Sequence, residues 1–129
     1  MSDLGRITDF METTTHAVKA SDDVLKAVRA LVSKGVTGVP VVDEKNAVVG
    51  MLGESDCLRL LTHPGEGVER VEQLMRKEVQ SVSPDMDVAY VAGMFNKQPY
   101  RRFPVVKDGQ LVGVVTRKDI LRAVLEMSG

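Results

Sequence analysis

The sequence predicts an α+β (α/β) fold built from two copies of one βαββα unit. Three observations carry that expectation. The chain repeats itself at a spacing of 64 residues, and each copy places Val-rich runs around a segment with helix-spaced apolar residues. A hydrophobic content of 43% with only 4% aromatics and no Trp makes aliphatic packing dominant. Asp9-Phe10-Met11 recurs as Gln73-Leu74-Met75, Val18 as Val82, Asp23-Val24 as Asp87-Val88, and Leu31 as Phe95. Val39-Pro40-Val41-Val42 recurs as Phe103-Pro104-Val105-Val106. Thereafter the spacing falls to 63, so that Val48-Val49-Gly50 matches Leu111-Val112-Gly113 and Asp56-Cys57-Leu58-Arg59 matches Asp119-Ile120-Leu121-Arg122.

Each unit reads the same way. A short strand around Val18 or Val82 leads to Ser21-Asp22-Asp23 or Ser83-Pro84-Asp85, residues suited to a helix start. The first helix places Val24, Leu25, Val28, Leu31 and Val32 on one apolar face. Two strands follow, Val39–Asp43 with Ala47–Leu52 in the first copy and Phe103–Lys107 with Gln110–Val115 in the second. The residue lost between copies falls in the hairpin turn, where Lys107-Asp108-Gly109-Gln110 has the Asp-Gly signature and Asp43-Glu44-Lys45-Asn46 is one longer. A slip inside a strand would instead turn its core face outward. Second helices over Ser55–Leu61 and Lys118–Met127 close the units, and Pro64 and Gly65 end the first of them. The expected boundaries are 7–62 and 71–127, with a linker over 63–70. The segment Val88–Phe95 is apolar almost all round, which predicts burial on more than one side. Either packing between the units or a homodimer interface would supply it.

Composition excludes several functions. A formal net charge of −1 provides no global field for nucleic acid or a membrane surface, so any anion site has to be local. The single Cys57 rules out an intramolecular disulfide and a multi-thiolate metal site. Met1 to Arg6 lacks the apolar core of a signal peptide, and no apolar run is long enough to span a bilayer. A soluble cytoplasmic protein is expected. His16 and His63 lack partners at metal-ligand spacing, so no metal is expected. Cys57 aligns with Ile120, which marks it as a small core residue.

Two motifs carry polar chemistry. In Leu111-Val112-Gly113-Val114-Val115-Thr116-Arg117-Lys118-Asp119 a strand runs into a Thr at a helix start with Asp three residues on. The plain structural reading is a capping box. The functional reading uses the same geometry: free N–H groups at the helix start attract a phosphate near Thr116, and Asp119 offers two acceptor oxygens to the hydroxyls of a ribose. In Pro99-Tyr100-Arg101-Arg102-Phe103-Pro104-Val105 two arginines precede an apolar strand. They are either solvated loop residues or a phosphate clamp, with Phe103 offering apolar surface to a purine.

With Gly38-Val39-Pro40-Val41-Val42-Asp43, Val49-Gly50-Met51-Leu52-Gly53-Glu54-Ser55-Asp56 and Arg102-Phe103-Pro104-Val105-Val106, these motifs resemble a tandem pair of cystathionine-beta-synthase (CBS) domains, a Bateman module. The resemblance runs from about Ile7 to Met127. It implies two CBS-type repeats packed about a pseudo-two-fold axis with two clefts between them, where AMP, ADP, ATP or S-adenosylmethionine binds. By position, Asp119 would hold ribose, Thr116 the phosphate or ribose side, and Arg101 and Arg102 phosphates, with Lys118 beside them in the motif. The backbone around Val79, Ser81, Phe103 and Pro104 would frame adenine. The first-copy counterparts are Asp56, Thr37, Val39 and Pro40, with Thr14 and His16 near the leading strand.

The first copy departs from the pattern. Gly53 replaces Thr116, and Thr37-Gly38 replaces Arg101-Arg102, so the Asp119 site is expected to bind tightly and the Asp56 site weakly or not at all. The expected function is a regulatory, adenine-nucleotide-sensing module that acts as a homodimer or on a protein partner. It needs no cofactor. The alternative is a ligand-free protein–protein interaction module. An enzyme is not expected, because a nucleotide hydrolase would need a metal-holding acid pair and only Asp119 is in place. The near-neutral charge and few aromatics argue against nucleic acid.

Overall fold

The structure is a computed structural model that describes residues 4–128. It divides into two compact units, residues 15–79 and residues 4–14 with 80–128. The unit of residues 15–79 holds β1 (Val18–Lys19), α1 (Val24–Lys34), β2 (Gly38–Val42), β3 (Val48–Gly53), α2 (Glu54–Cys57) and α3 (Arg59–Thr62). The other holds α4 (Val88–Lys97), β4 (Arg102–Lys107), β5 (Gln110–Thr116) and α5 (Arg117–Ser128).

In the first unit β1 pairs parallel to β2, with Val18 opposite Val41, and β2 pairs antiparallel to β3. The second unit repeats this pattern, but the strand expected around Val82 shrinks to one parallel bridge with Val105 beside the β4–β5 hairpin. Both hairpins carry a bulge at matching places, after Val41 and after Val105. The turns differ as their sequences require. Asp108 and Gly109 both have positive φ, 52° and 77°, the conformation of a two-residue hairpin turn. In the longer turn the Asp43 carboxylate accepts N–H bonds from Lys45 at 2.8 Å and Ala47 at 3.0 Å.

The leading segments are exchanged between the repeats. Residues 7–12 fold with the second copy: Ile7 N–H donates to the Met86 carbonyl (3.0 Å), and Glu12 exchanges two 2.8 Å bonds with Val114. Their counterparts fold with the first copy: Val71 N–H donates to Asp22 (3.0 Å), and Arg76 exchanges two 2.9 Å bonds with Met51. A glycine admits each segment. A Cβ on Gly113 would lie 2.8 Å from the Glu12 carbonyl oxygen, and one on Gly50 2.8 Å from that of Arg76.

Each unit has its own aliphatic core. Val18, Val24, Ala27, Leu31, Val39, Val41, Leu52, Val71 and Leu74 form one, and Ile7, Phe10, Val88, Val91, Phe103, Val115 and Ile120 are among the residues of the other. The Asp23 and Asp87 carboxylates cap α1 and α4 by accepting from Leu25 N–H (2.8 Å) and Ala89 N–H (2.9 Å).

Three local expectations change. Leu25 and Val32, predicted on the buried face of α1, are exposed, because the α1 face turned to the core is the narrower stripe Val24, Ala27 and Leu31. In α4 the buried residues are Val88, Val91 and Phe95, while Tyr90 is exposed, so its apolar circumference is not wholly covered. The second helix of the first copy breaks at Leu58 into α2 and α3, whereas α5 runs unbroken. Among the described residues no helix is long and apolar enough to cross a membrane.

Candidate ligand site

The polar centre of the second copy forms where β5 ends and α5 begins. Thr116 N–H donates to Asp119 Oδ2 at 2.7 Å, and Asp119 N–H donates back to Thr116 Oγ1 at 3.3 Å. The capping box is therefore complete in both directions. Asp119 is fully buried, the one charged residue among the buried ones of the described residues. Its second oxygen, Oδ1, has no aligned hydrogen bond, although Arg122 Nη2 stands 2.7 Å away. That guanidinium also donates to the Phe10 carbonyl at 2.9 Å. Oδ1 is thus held by the charge of Arg122 rather than by an aligned hydrogen bond, and as a carboxylate oxygen it keeps acceptor capacity for a hydroxyl.

The strand register assembles the neighbours. Arg102 lies directly opposite Thr116 across the β4–β5 pair, which places their side chains on one face of the hairpin. Arg101 is exposed just before β4, and Lys118 is exposed on the first turn of α5. Arg117 lies over the Phe95 ring, its guanidinium carbon 6.0 Å from the centroid. Ser81 is exposed next to Val82, whose N–H donates to the Pro104 carbonyl at 3.0 Å, so Ser81 and Pro104 border the same strand edge. The Phe103 ring corrects an expectation. It is fully buried, with its centroid 4.4 Å from that of Phe95 and 5.9 Å from that of Tyr100. Its side chain belongs to the core and offers no surface to a purine; only its backbone borders the site. Val79 is half-buried and ends the other unit.

The first copy rebuilds part of this arrangement. Gly53 N–H donates to Asp56 Oδ2 at 2.7 Å, which reproduces one half of the capping box without the hydroxyl. Gly38 stands opposite Gly53, in the register that Arg102 and Thr116 occupy in the second copy. Val39 and Pro40 are buried in β2, and Thr37 is exposed before it. His16 has a positive φ of 52° in the segment before β1. Thr14, aligned with this copy in sequence, is exposed and counted with the unit of the second. Burial and the neighbouring Asp56 charge push the Cys57 thiol above its usual value, which keeps it protonated and unreactive.

Sequence reading missed two arginines. Arg122 is one helical turn after Asp119, a legible spacing, yet its bond to Phe10 depends on the exchanged leading segment. Arg76 reaches Asp56, with its Nε 3.5 Å from Oδ2. Only its alignment with Glu12, a reversal of charge at a repeated position, could have singled it out. The counterpart of Arg122, Arg59, is instead engaged by Glu66 at 2.6 and 2.7 Å.

Known proteins share this organisation. The CBS domain family matches residues 7–63 and 71–126. A crystal structure of CBSX2 in complex with AMP is 31% identical and superposes with a TM-score of 0.85, over 97% of this chain and 99% of that one. The CBS domain pair of MJ0100 in complex with methylthioadenosine and S-adenosyl-L-methionine is 25% identical, with a TM-score of 0.80 over 92% of this chain and 98% of the other. Among curated relatives, the uncharacterized protein MJ1225 of Methanocaldococcus jannaschii is 27% identical over 90% of this chain, and the A-adding tRNA nucleotidyltransferase of Aquifex aeolicus 31% over 94%. The chain spans only 41% and 14% of the lengths of these two relatives.

Proposed function

Because the chain belongs to the CBS domain family and carries two CBS domains in tandem, we propose that it is a regulatory module whose stronger site, at Asp119, binds an adenosine-containing ligand. The reading rests above all on the buried Asp119 carboxylate at the start of α5, whose Oδ1 is ion-paired with Arg122 at 2.7 Å but has no aligned donor. A ribose hydroxyl supplies such a donor, and Oδ2 keeps its bond from Thr116 N–H meanwhile. Arg102, opposite Thr116, would hold phosphate on the same face, with Arg101 before it and Lys118 adding positive charge. The backbone of Ser81, Phe103 and Pro104 would border the base. CBSX2 with AMP and the MJ0100 pair with S-adenosyl-L-methionine share the adenosine group, which is the part that Asp119 would read.

Binding has consequences only if it favours one conformational or assembly state over another. We therefore assign the module a sensing role exerted through a homodimer or a protein partner, without chemistry on the ligand. The test is thermal unfolding with AMP, ATP and S-adenosylmethionine in turn. A ligand held only by the native state stabilises by about 2.7 kcal/mol at 100 times its dissociation constant, so the midpoint rises with concentration. Asp119→Ala abolishes the rise. Unchanged melting with all three compounds would instead favour the ligand-free interaction module, a reading supported by the completed Thr116–Asp119 capping box.

A further inference from the structure

The two copies supply positive charge to their carboxylates from different parts of the chain. In the second copy the face above the helix start carries Arg102 opposite Thr116, whereas in the first the same register pairs Gly38 with Gly53 and leaves no side chain. Into that region comes Arg76. Its backbone is fixed by two 2.9 Å bonds to Met51, and Gly50 permits the close approach. Its Nε lies 3.5 Å from Asp56 Oδ2, and its Nη2 stands 3.8 Å from where a Cβ on Gly53 would lie. The guanidinium thus borders the space that the Thr116 side chain fills in the other copy. The counterpart of Arg76 there is Glu12, bonded in the same way to Val114.

We propose that Arg76 makes the Asp56 site selective for phosphate-bearing adenine nucleotides over the bare nucleoside. The inference rests on the reading that Asp56, like Asp119, faces a ribose. Two effects of Arg76 compete. As a counter-ion of Asp56 it would have to be displaced, but the contact is long and the Arg76 side chain is 54% exposed. Exposed pairs of this kind contribute no more than about fivefold to an equilibrium. A charge-assisted bond from the same group to a phosphate contributes about tenfold or more. Attraction to phosphate therefore wins, and the cost of losing the ion pair falls on any ligand without one. The site remains weaker than that at Asp119, because it has neither the hydroxyl nor the second arginine.

Amide resonances report the two sites separately in the intact chain, Gly53 for one and Thr116 for the other, during titration with AMP or adenosine. The expected result is that the Gly53 signal follows AMP at least about tenfold more tightly than adenosine. Arg76→Gln should bring that ratio close to one, Arg76→Lys should keep most of it, and neither should alter the Thr116 response. A Gly53 signal that responds to neither probe or equally to both, or a ratio unchanged in Arg76→Gln, overturns the proposal. If Thr116 fails to respond as well, the adenosine-binding reading falls with it; if Thr116 alone responds, only the role of Arg76 is lost.

Discussion

Arg122 and Asp119 stand 2.7 Å apart on consecutive turns of α5, and the same guanidinium nitrogen holds the Phe10 carbonyl at 2.9 Å. One side chain thus neutralises a fully buried carboxylate and fastens the exchanged leading segment. Arg122→Ala should lower the unfolding free energy by about 1–3 kcal/mol, since it leaves a buried charge without its partner. Arg59→Ala breaks only the half-exposed pair with Glu66 and should cost less than about 1 kcal/mol. Urea denaturation of the two variants makes the comparison, and equal losses would contradict it.

The capping boxes should respond as differently as they are built. Thr116→Ala removes an acceptor from the start of a long helix and should destabilise by about 1 kcal/mol. Gly53→Ala adds a Cβ in ordinary contact, 3.5 Å from Asp56 Oδ2, at a backbone angle of −114° that any residue adopts. Its melting temperature should match or exceed that of the parent.

Gly113→Ala forces a Cβ to within 2.8 Å of the Glu12 carbonyl oxygen, and backbone cannot yield as a flexible side chain would. The variant should lose about 1–3 kcal/mol, and amide exchange should accelerate across residues 7–12. Gly50→Ala should do the same to residues 71–76. Protection that stays intact in either variant would refute the close-approach argument.

The N–H donors of Ala47 and Lys45 hold the Asp43 carboxyl below its usual value. A depressed folded value stabilises above the unfolded value and loses that contribution as pH falls through the folded one. The loss therefore occurs below about pH 4. Asp43→Asn should unfold with a shallower dependence on acid in this window and show no altered pH dependence between about 6 and 8.

Leu58 and Leu61 in the first unit, and Leu121, Leu125 and Met127 on α5, are exposed apolar side chains. A homodimer would cover them. Leu125→Glu and Leu61→Glu should shift sedimentation from dimer to monomer while leaving the far-ultraviolet circular dichroism unchanged; a parent chain that sediments as a monomer refutes the dimer.

Sequence alone determined the duplicated fold, the helix and strand order, the hairpin turns and the position of the Thr116–Asp119 box. These follow from periodicity, caps and turn residues, all of which act within a few neighbours. It also exposed the loss of Thr116, Arg101 and Arg102 from the first copy. Tertiary structure decided what local signals cannot carry: that segments 7–12 and 71–76 exchange, that Phe103 belongs to the core, that Leu25 and Val32 face outward, and that Arg122 and Arg76 reach Asp119 and Asp56. The exchange and the reach of both arginines depend on which distant backbone occupies a sheet edge. The physical determinant is the missing Cβ of Gly50 and Gly113, whose consequence appears only when the other strand is in place.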